Sequence, residues 1–161
     1  MKKVILNPVS MLVIGLLLGI MSRLLDIYTT NLGNIFSQLA IWILFGLIIS
    51  IFSETKLKAM INILPFCIGV LITYYLTAML IDSVYSSVMI VGWTIFALCS
   101  PIFAIFAWYT KESGILPKLI GVGIVLVSVL SSIILFDGFR IYDLIIDGIM
   151  VYLLFFIRVK R

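Results

Sequence analysis

Residues 115–136 read ILPKLIGVGIVLVSVLSSIILF, and this stretch decides the fold class. It carries one charge, Lys118, and is apolar on every helical face. About 20 apolar residues in α-helical form match the hydrocarbon thickness of a bilayer. A barrel strand would be roughly ten residues long with alternating polarity. This run is twice that length and does not alternate. A helix satisfies all of its backbone polar groups internally, which lipid demands. The segment therefore reads as a transmembrane helix.

Working outward, five further apolar runs cover residues 8–25, 35–52, 57–80, 88–108 and 141–157. Short polar breaks separate them. The pattern predicts an all-α integral membrane bundle of six transmembrane helices, forming one domain over residues 1–161. Composition agrees. The chain is 64% hydrophobic and 11% charged, with a mean hydropathy of +1.33. Soluble domains are about 45–50% apolar and about 25% charged. Six crossings leave no room for a water-soluble domain. Met1-Lys2-Lys3 opens like a signal peptide, but the apolar run continues to Arg23 without an Ala-x-Ala site, so a retained first helix is expected.

Charge sets the expected orientation. With the N-terminus cytoplasmic, the inner side holds Lys2, Lys3, Lys56, Lys58, Lys111, Lys118, Arg158, Lys160 and Arg161. The outer side holds Arg23 and Arg140, so the bias is nine to two. Positive charge collects in cytoplasmic loops, which predicts both termini in the cytoplasm and a plasma-membrane location. The net charge of +4 is thus explained by orientation, and no nucleic-acid partner is expected. The chain has no histidine. That removes Ser–His and Cys–His catalysis and most transition-metal sites. Cys67 and Cys99 lie in apolar runs and read as packing residues. No enzyme activity, cofactor or metal is expected.

Ionisable residues inside a span are costly unless paired or hydrated, so they mark structure or function. Asp143 and Asp147 are four apart and share a helix face. Arg23 and Asp26 are three apart. At 1.5 Å rise per residue, Arg23 lies roughly 22 Å from the inner end of the first span, Asp143 roughly 21 Å from that of the last, and Asp147 roughly 15 Å. The match in depth predicts that the first and last helices are neighbours and that Arg23 pairs with Asp143 or Asp147. Asn31, Asn34, Gln38, Tyr74, Tyr75, Tyr85, Trp93, Ser131, Ser132 and Tyr142 cluster at the same outer level. Trp42, Trp93 and Trp108 are expected at lipid or at the interface. Gly15 and Gly19 form a G-x-x-x-G, which lets helices approach closely.

Two resemblances bear on the reading. Ser22-Arg23-Leu24-Leu25-Asp26, preceded by Gly15 and followed by Asn31-Leu32-Gly33-Asn34, resembles an uncharacterised bacterial family of small multi-pass proteins. Its first helix ends R-L-x-D and an L-G-N stretch enters the second. That resemblance implies a domain of unknown function. In architecture the chain is similar to the S-components of energy-coupling-factor vitamin transporters, which have six helices, both ends inside and an outward pocket. Their alanine-rich A-x-x-x-A docking motif is replaced here by Gly15 and Gly19. Rod-shape-determining membrane proteins are similar in outline only.

Two functions follow as expectations. One is a solute-binding, transport-associated protein with an outward-facing polar pocket for a small polar or aromatic solute. Arg23, Asp26, Asn34, Gln38, Tyr74, Tyr75, Trp93, Asp143 and Asp147 would line it, with Arg23 contacting anions, the last two acids cations or protons, and the aromatics stacking. The other is a scaffold or regulatory subunit that meets a membrane-protein partner through the Gly15–Gly19 face and the basic cytoplasmic loops, with Arg23 and the acids as a structural clamp. An intramembrane aspartyl enzyme is disfavoured, because its G-x-G-D motif is absent.

Overall fold

A computed structural model describes residues 6–81, 87–136 and 138–159. Lys2, Lys3, Tyr85, Lys160 and Arg161 lie outside the described residues. Helix α1 is Pro8–Tyr28, α2 Thr30–Ser37, α3 Leu39–Phe52, α4 Lys56–Leu80, α5 Ser87–Tyr109, α6 Ile115–Leu135 and α7 Ile141–Val151, which runs on into a π-helical turn, Tyr152–Phe156. No strand occurs among the described residues. Local chemistry starts these helices where it should. The Asn7 side chain accepts from the Ser10 amide at 2.9 Å, and Pro8 opens α1 without needing a donor. Thr29 caps α2 and Thr55 caps α4.

Among the described residues, four helices are long and apolar enough to cross a membrane: α1, α4, α5 and α6. A fifth span results if α2 and α3, bent by 60°, count as one. Leu17, Ile72, Leu98, Leu126 and Ile134 are each more than half exposed. Water would penalise such a surface, while lipid tails match it.

Two expected spans differ from the sequence reading. The helix expected over residues 35–52 breaks at Gln38, whose backbone is extended (φ −91°, ψ 152°). Polar side chains on either side of the break are used elsewhere. Ser37 donates to Asp26 and to the Gly33 carbonyl, and the Gln38 amide reaches Tyr142 at 3.2 Å. The helix expected over 141–157 is α-helical for only 11 residues. Its last turn widens around the Lys111 ammonium, which bonds the carbonyls of Leu153, Leu154 and Ile157. A cation at a helix C-terminus satisfies carbonyls that have no intrahelical donor.

The most extensive helix contact joins α1 to α4. A Cβ on Gly15 would sit 2.2 Å from the Phe66 carbonyl oxygen, and one on Gly19 2.4 Å from that of Val70. Gly69 on α4 is also tight, its Cβ position 2.8 Å from the Leu12 carbonyl oxygen. Across this seam the Thr73 hydroxyl donates to the Leu16 carbonyl at 2.7 Å. The expected pairing of the first and last helices is therefore not the one formed. Helix α7 packs against α3 and α6 instead. The short α3 is central, touching α4, α5, α6 and α7. One apolar core joins it to α7 through Leu44, Leu47, Met150 and Leu153. A second joins α1, α4 and α5 through Met11, Ile63, Phe66 and Ala104.

The bundle has a basic end and a polar, hydrogen-bonded end. At the basic end Asn62 meets the Leu6 carbonyl, the buried Trp108 donates to the Ser53 carbonyl at 3.1 Å, and Lys56 lies over the Trp108 and Tyr109 rings. Lys111 and the end of the last helix close the same face. Trp108, expected at lipid, is instead a buried tie between α5 and the α3–α4 turn.

Candidate functional site

The polar end is built on α1. Arg23 is buried, and its Nη1 donates to Asp26 Oδ2 at 2.6 Å and to the Tyr74 hydroxyl at 3.0 Å. Tyr74 passes the interaction on, donating to Asp26 Oδ2 at 3.1 Å. Ser37 closes the ring by donating to Asp26 Oδ1 at 3.0 Å. The guanidinium also lies 5.1 Å from the Tyr74 ring centroid, within cation–π range. The two quoted motifs thus do one structural job. Arg23 and Asp26 carry opposite charges on one helix face. Gly33 lets α2 fold back onto them, since a Cβ there would lie 2.7 Å from the Asp26 Cα.

Below this hub lies a cavity of about 620 Å³. Such volumes are typical of small-molecule sites. Arg23, Ser37, Tyr74, Tyr75 and Trp93 line its outer part, and Trp42, Phe66, Phe96 and Phe103 are among the aromatics that continue it. Edge contacts order Tyr74 with Tyr75 at 5.2 Å and Trp93 with Phe96 at 5.9 Å, and Phe96 lies tilted against Phe103 at 5.7 Å. Most of the wall is apolar. The pocket expected to be polar is thus an aromatic cavity with a polar cap. Trp42 and Trp93, expected at lipid or at the interface, both line it.

The nine candidate residues fall into three groups. Arg23, Tyr74, Tyr75 and Trp93 meet in the cavity, with Asp26 bound to its edge through Arg23. Asn34 is exposed beside Asp26 and Thr30 in a shallow external recess. Gln38, Asp143 and Asp147 lie outside the cavity, where α3 and α7 meet α6. Asp143 caps its own helix, accepting from the Arg140 amide at 2.9 Å. Arg23 does not need these acids because Asp26, three residues on, supplies its counter-charge. Ser37, Trp42 and Phe96 were missed as site residues. Their signal was faint: a serine beside a break, and aromatics inside apolar runs.

An anionic group could reach Arg23 only by sharing it with Asp26. The site therefore suits a ligand whose body is apolar or aromatic and whose polar end meets the Arg23–Tyr74 pair.

Fold and site together define an all-helical membrane protein with a hydrogen-bonded cap above an apolar cavity. The chain belongs to a family of unknown function, DUF6518, which matches residues 1–155. No curated protein and no solved structure matches it.

Proposed function

We propose that this protein is a non-enzymatic, transport-associated component of the cell membrane that binds an aromatic or amphipathic solute in its central cavity. The observation that carries this reading is the convergence of Arg23, Tyr74, Tyr75 and Trp93 on one space of about 620 Å³. Helices α1 to α6 all contribute to its walls, and a bundle selected only for packing would fill such a volume with side chains. The alternative is a scaffold acting through the Gly15–Gly19 face. It is less favoured, because α4 covers that face.

Gly123 offers a clean test. It lines the cavity, and a Cβ there would meet nothing within 4 Å. Gly123→Leu should fill part of the space without strain. Native mass spectrometry in nanodiscs should show a small-molecule adduct on the parent that disappears in Gly123→Leu, with the melting temperature unchanged or raised. An adduct equally strong in both proteins would remove the cavity from the function.

The same reading places six crossings in the membrane, with the basic end and both termini cytoplasmic. Helix α3 spans about 21 Å and the last helix with its π-turn about 24 Å, short of a bilayer core of about 30 Å. The hydrated polar cap and local thinning of the bilayer make up the difference. Reporter fusions at each loop should give cytoplasmic signals after residues 55, 112 and 159. An external signal after residue 159 would overturn the orientation.

A further inference from the structure

Four buried side chains where α3, α6 and α7 meet hold five oxygen atoms without a hydrogen-bond partner. They are Gln38 Oε1, Ser128 Oγ, Asp143 Oδ1 and both carboxylate oxygens of Asp147. Their residues are almost fully inaccessible: 1% exposed for Gln38, 0% for Ser128 and Asp143, and 6% for Asp147. Ser128 on α6 approaches Asp147 on α7 closely enough to favour its carboxylate as a weak hydrogen-bond donor, though not at full hydrogen-bond geometry, and Asp143 lies within electrostatic reach one turn away. The Gln38 amide nitrogen donates to the hydroxyl of Tyr142, the residue before Asp143 in the first turn of α7, which leaves the carbonyl oxygen of the same amide unused.

Leaving one buried polar atom unpaired costs about 1–3 kcal/mol, and an uncompensated buried charge costs more. Among the described residues neither carboxylate forms an ion pair; the two salt bridges there are Arg23–Asp26 and Lys58–Glu54. Every unused atom is an acceptor or a hydroxyl oxygen. Such a set asks for a positive partner that binds oxygen.

We propose that Asp143, Asp147, Ser128 and Gln38 form a binding site for one divalent hard cation, Ca²⁺. Oxygen donors of this kind select hard cations over softer transition metals. Two carboxylates balance a double charge, whereas Na⁺ would leave one negative charge buried. Ca²⁺ takes six to eight oxygens, with carboxylates in one- or two-oxygen contact. Asp147 has two oxygens to give, and Asp143 has one left after capping its helix. Mg²⁺ usually keeps several waters and demands octahedral geometry, so a set of protein oxygens suits it less. A cation here ties α6 and α7 to the end of α3. The site is separate from the cavity, and this assignment stands whether or not the cavity binds a solute.

The experiment uses the full chain in nanodiscs of zwitterionic lipid, with empty nanodiscs as background. Equilibrium ⁴⁵Ca²⁺ binding should saturate at one ion per chain. Ca²⁺ should raise the melting temperature after chelator treatment, while Na⁺ and K⁺ at equal ionic strength should not. Asp147→Asn should abolish the saturable binding. Ser128→Ala, a milder change in a fully buried helix, should weaken it about tenfold, the loss of one charge-assisted contact. No saturable binding by the parent, equal stabilisation by Na⁺, or unchanged binding in Asp147→Asn would each overturn the assignment. The first of these outcomes would mean that the acids hold a proton instead.

Discussion

Gly15→Leu combined with Gly19→Leu should abolish the folded protein. At these positions the obstacle to a side chain is not only another side chain that can swing away. Beyond the Thr73 hydroxyl, 2.1 Å from the Gly19 Cβ, it is the α4 backbone, with the Phe66 carbonyl oxygen 2.2 Å from the first Cβ and the Val70 carbonyl oxygen 2.4 Å from the second. Overpacking a core costs about 1–3 kcal/mol even where neighbours can adjust. Here α1 must back away from α4 along its length. That movement breaks the Thr73–Leu16 hydrogen bond and opens the apolar core around Met11 and Phe66. Total stabilities of about 5–15 kcal/mol cannot absorb two such changes. Each single leucine variant should melt well below the parent, and the double variant should be lost to aggregation on size-exclusion chromatography. Gly46→Ala is the control. A Cβ there meets only the end of Ile63, at 3.6 Å, and should leave the melting temperature near that of the parent. A double leucine variant eluting and melting like the parent would show that α1 and α4 do not make this contact.

Much of this fold was legible because lipid imposes a length and a polarity on every crossing helix. Residues 115–136 announced α6 almost to the residue, and the Gly15–Gly19 spacing pointed to a close contact without naming the partner. The break at Gln38 was hidden because hydrophobicity measures only composition. Ile35-Phe36 before the break and Leu39-Ala40 after it are equally apolar, and bonds around the break, from Ser37 to Asp26, Gln38 to Tyr142 and Trp42 to the Phe36 carbonyl, accompany the extended residue between them. The site was half legible for a similar reason. Depth along a helix can be read from sequence, and azimuth around the bundle cannot. Arg23 and Asp143 match in distance along their helices by the helical rise, yet α1 faces α4 and α7 faces α3 and α6. Tyr74 and Trp93 shared that depth too and happened to lie on the correct side. Ser128 was invisible, since serines in apolar helices commonly satisfy themselves on a carbonyl one turn back. Ser131 and Ser132 do so on the Ser128 carbonyl, whereas Ser128 does not.

The partner of Arg23 can be decided energetically, and the outcome separates the observed network from the pairing that depth suggested. Asp26→Asn should be the most damaging single change in the outer cap. It removes the charge of the carboxylate 2.6 Å from the Arg23 guanidinium, whose side chain is 8% exposed and lies beside an apolar cavity. Breaking a buried pair in this way costs about 3–5 kcal/mol, and the 29% exposure of the Asp26 side chain places the loss at the lower end of that range. Arg23→Gln should cost less, because Tyr74 and Ser37 still donate to the Asp26 carboxylate. Combining the two should restore part of the loss, with a coupling of about 1–3 kcal/mol in a thermal-stability double-mutant cycle. Arg23→Gln combined with Asp147→Asn should instead be additive within about 0.5 kcal/mol, since the two residues share no partner. Tyr74→Phe should lower the Arg23–Asp26 coupling, because its hydroxyl contacts both members of the pair. Strong coupling of Arg23 to Asp147, with none to Asp26, would return the arginine to the last helix and dismantle the cap described here.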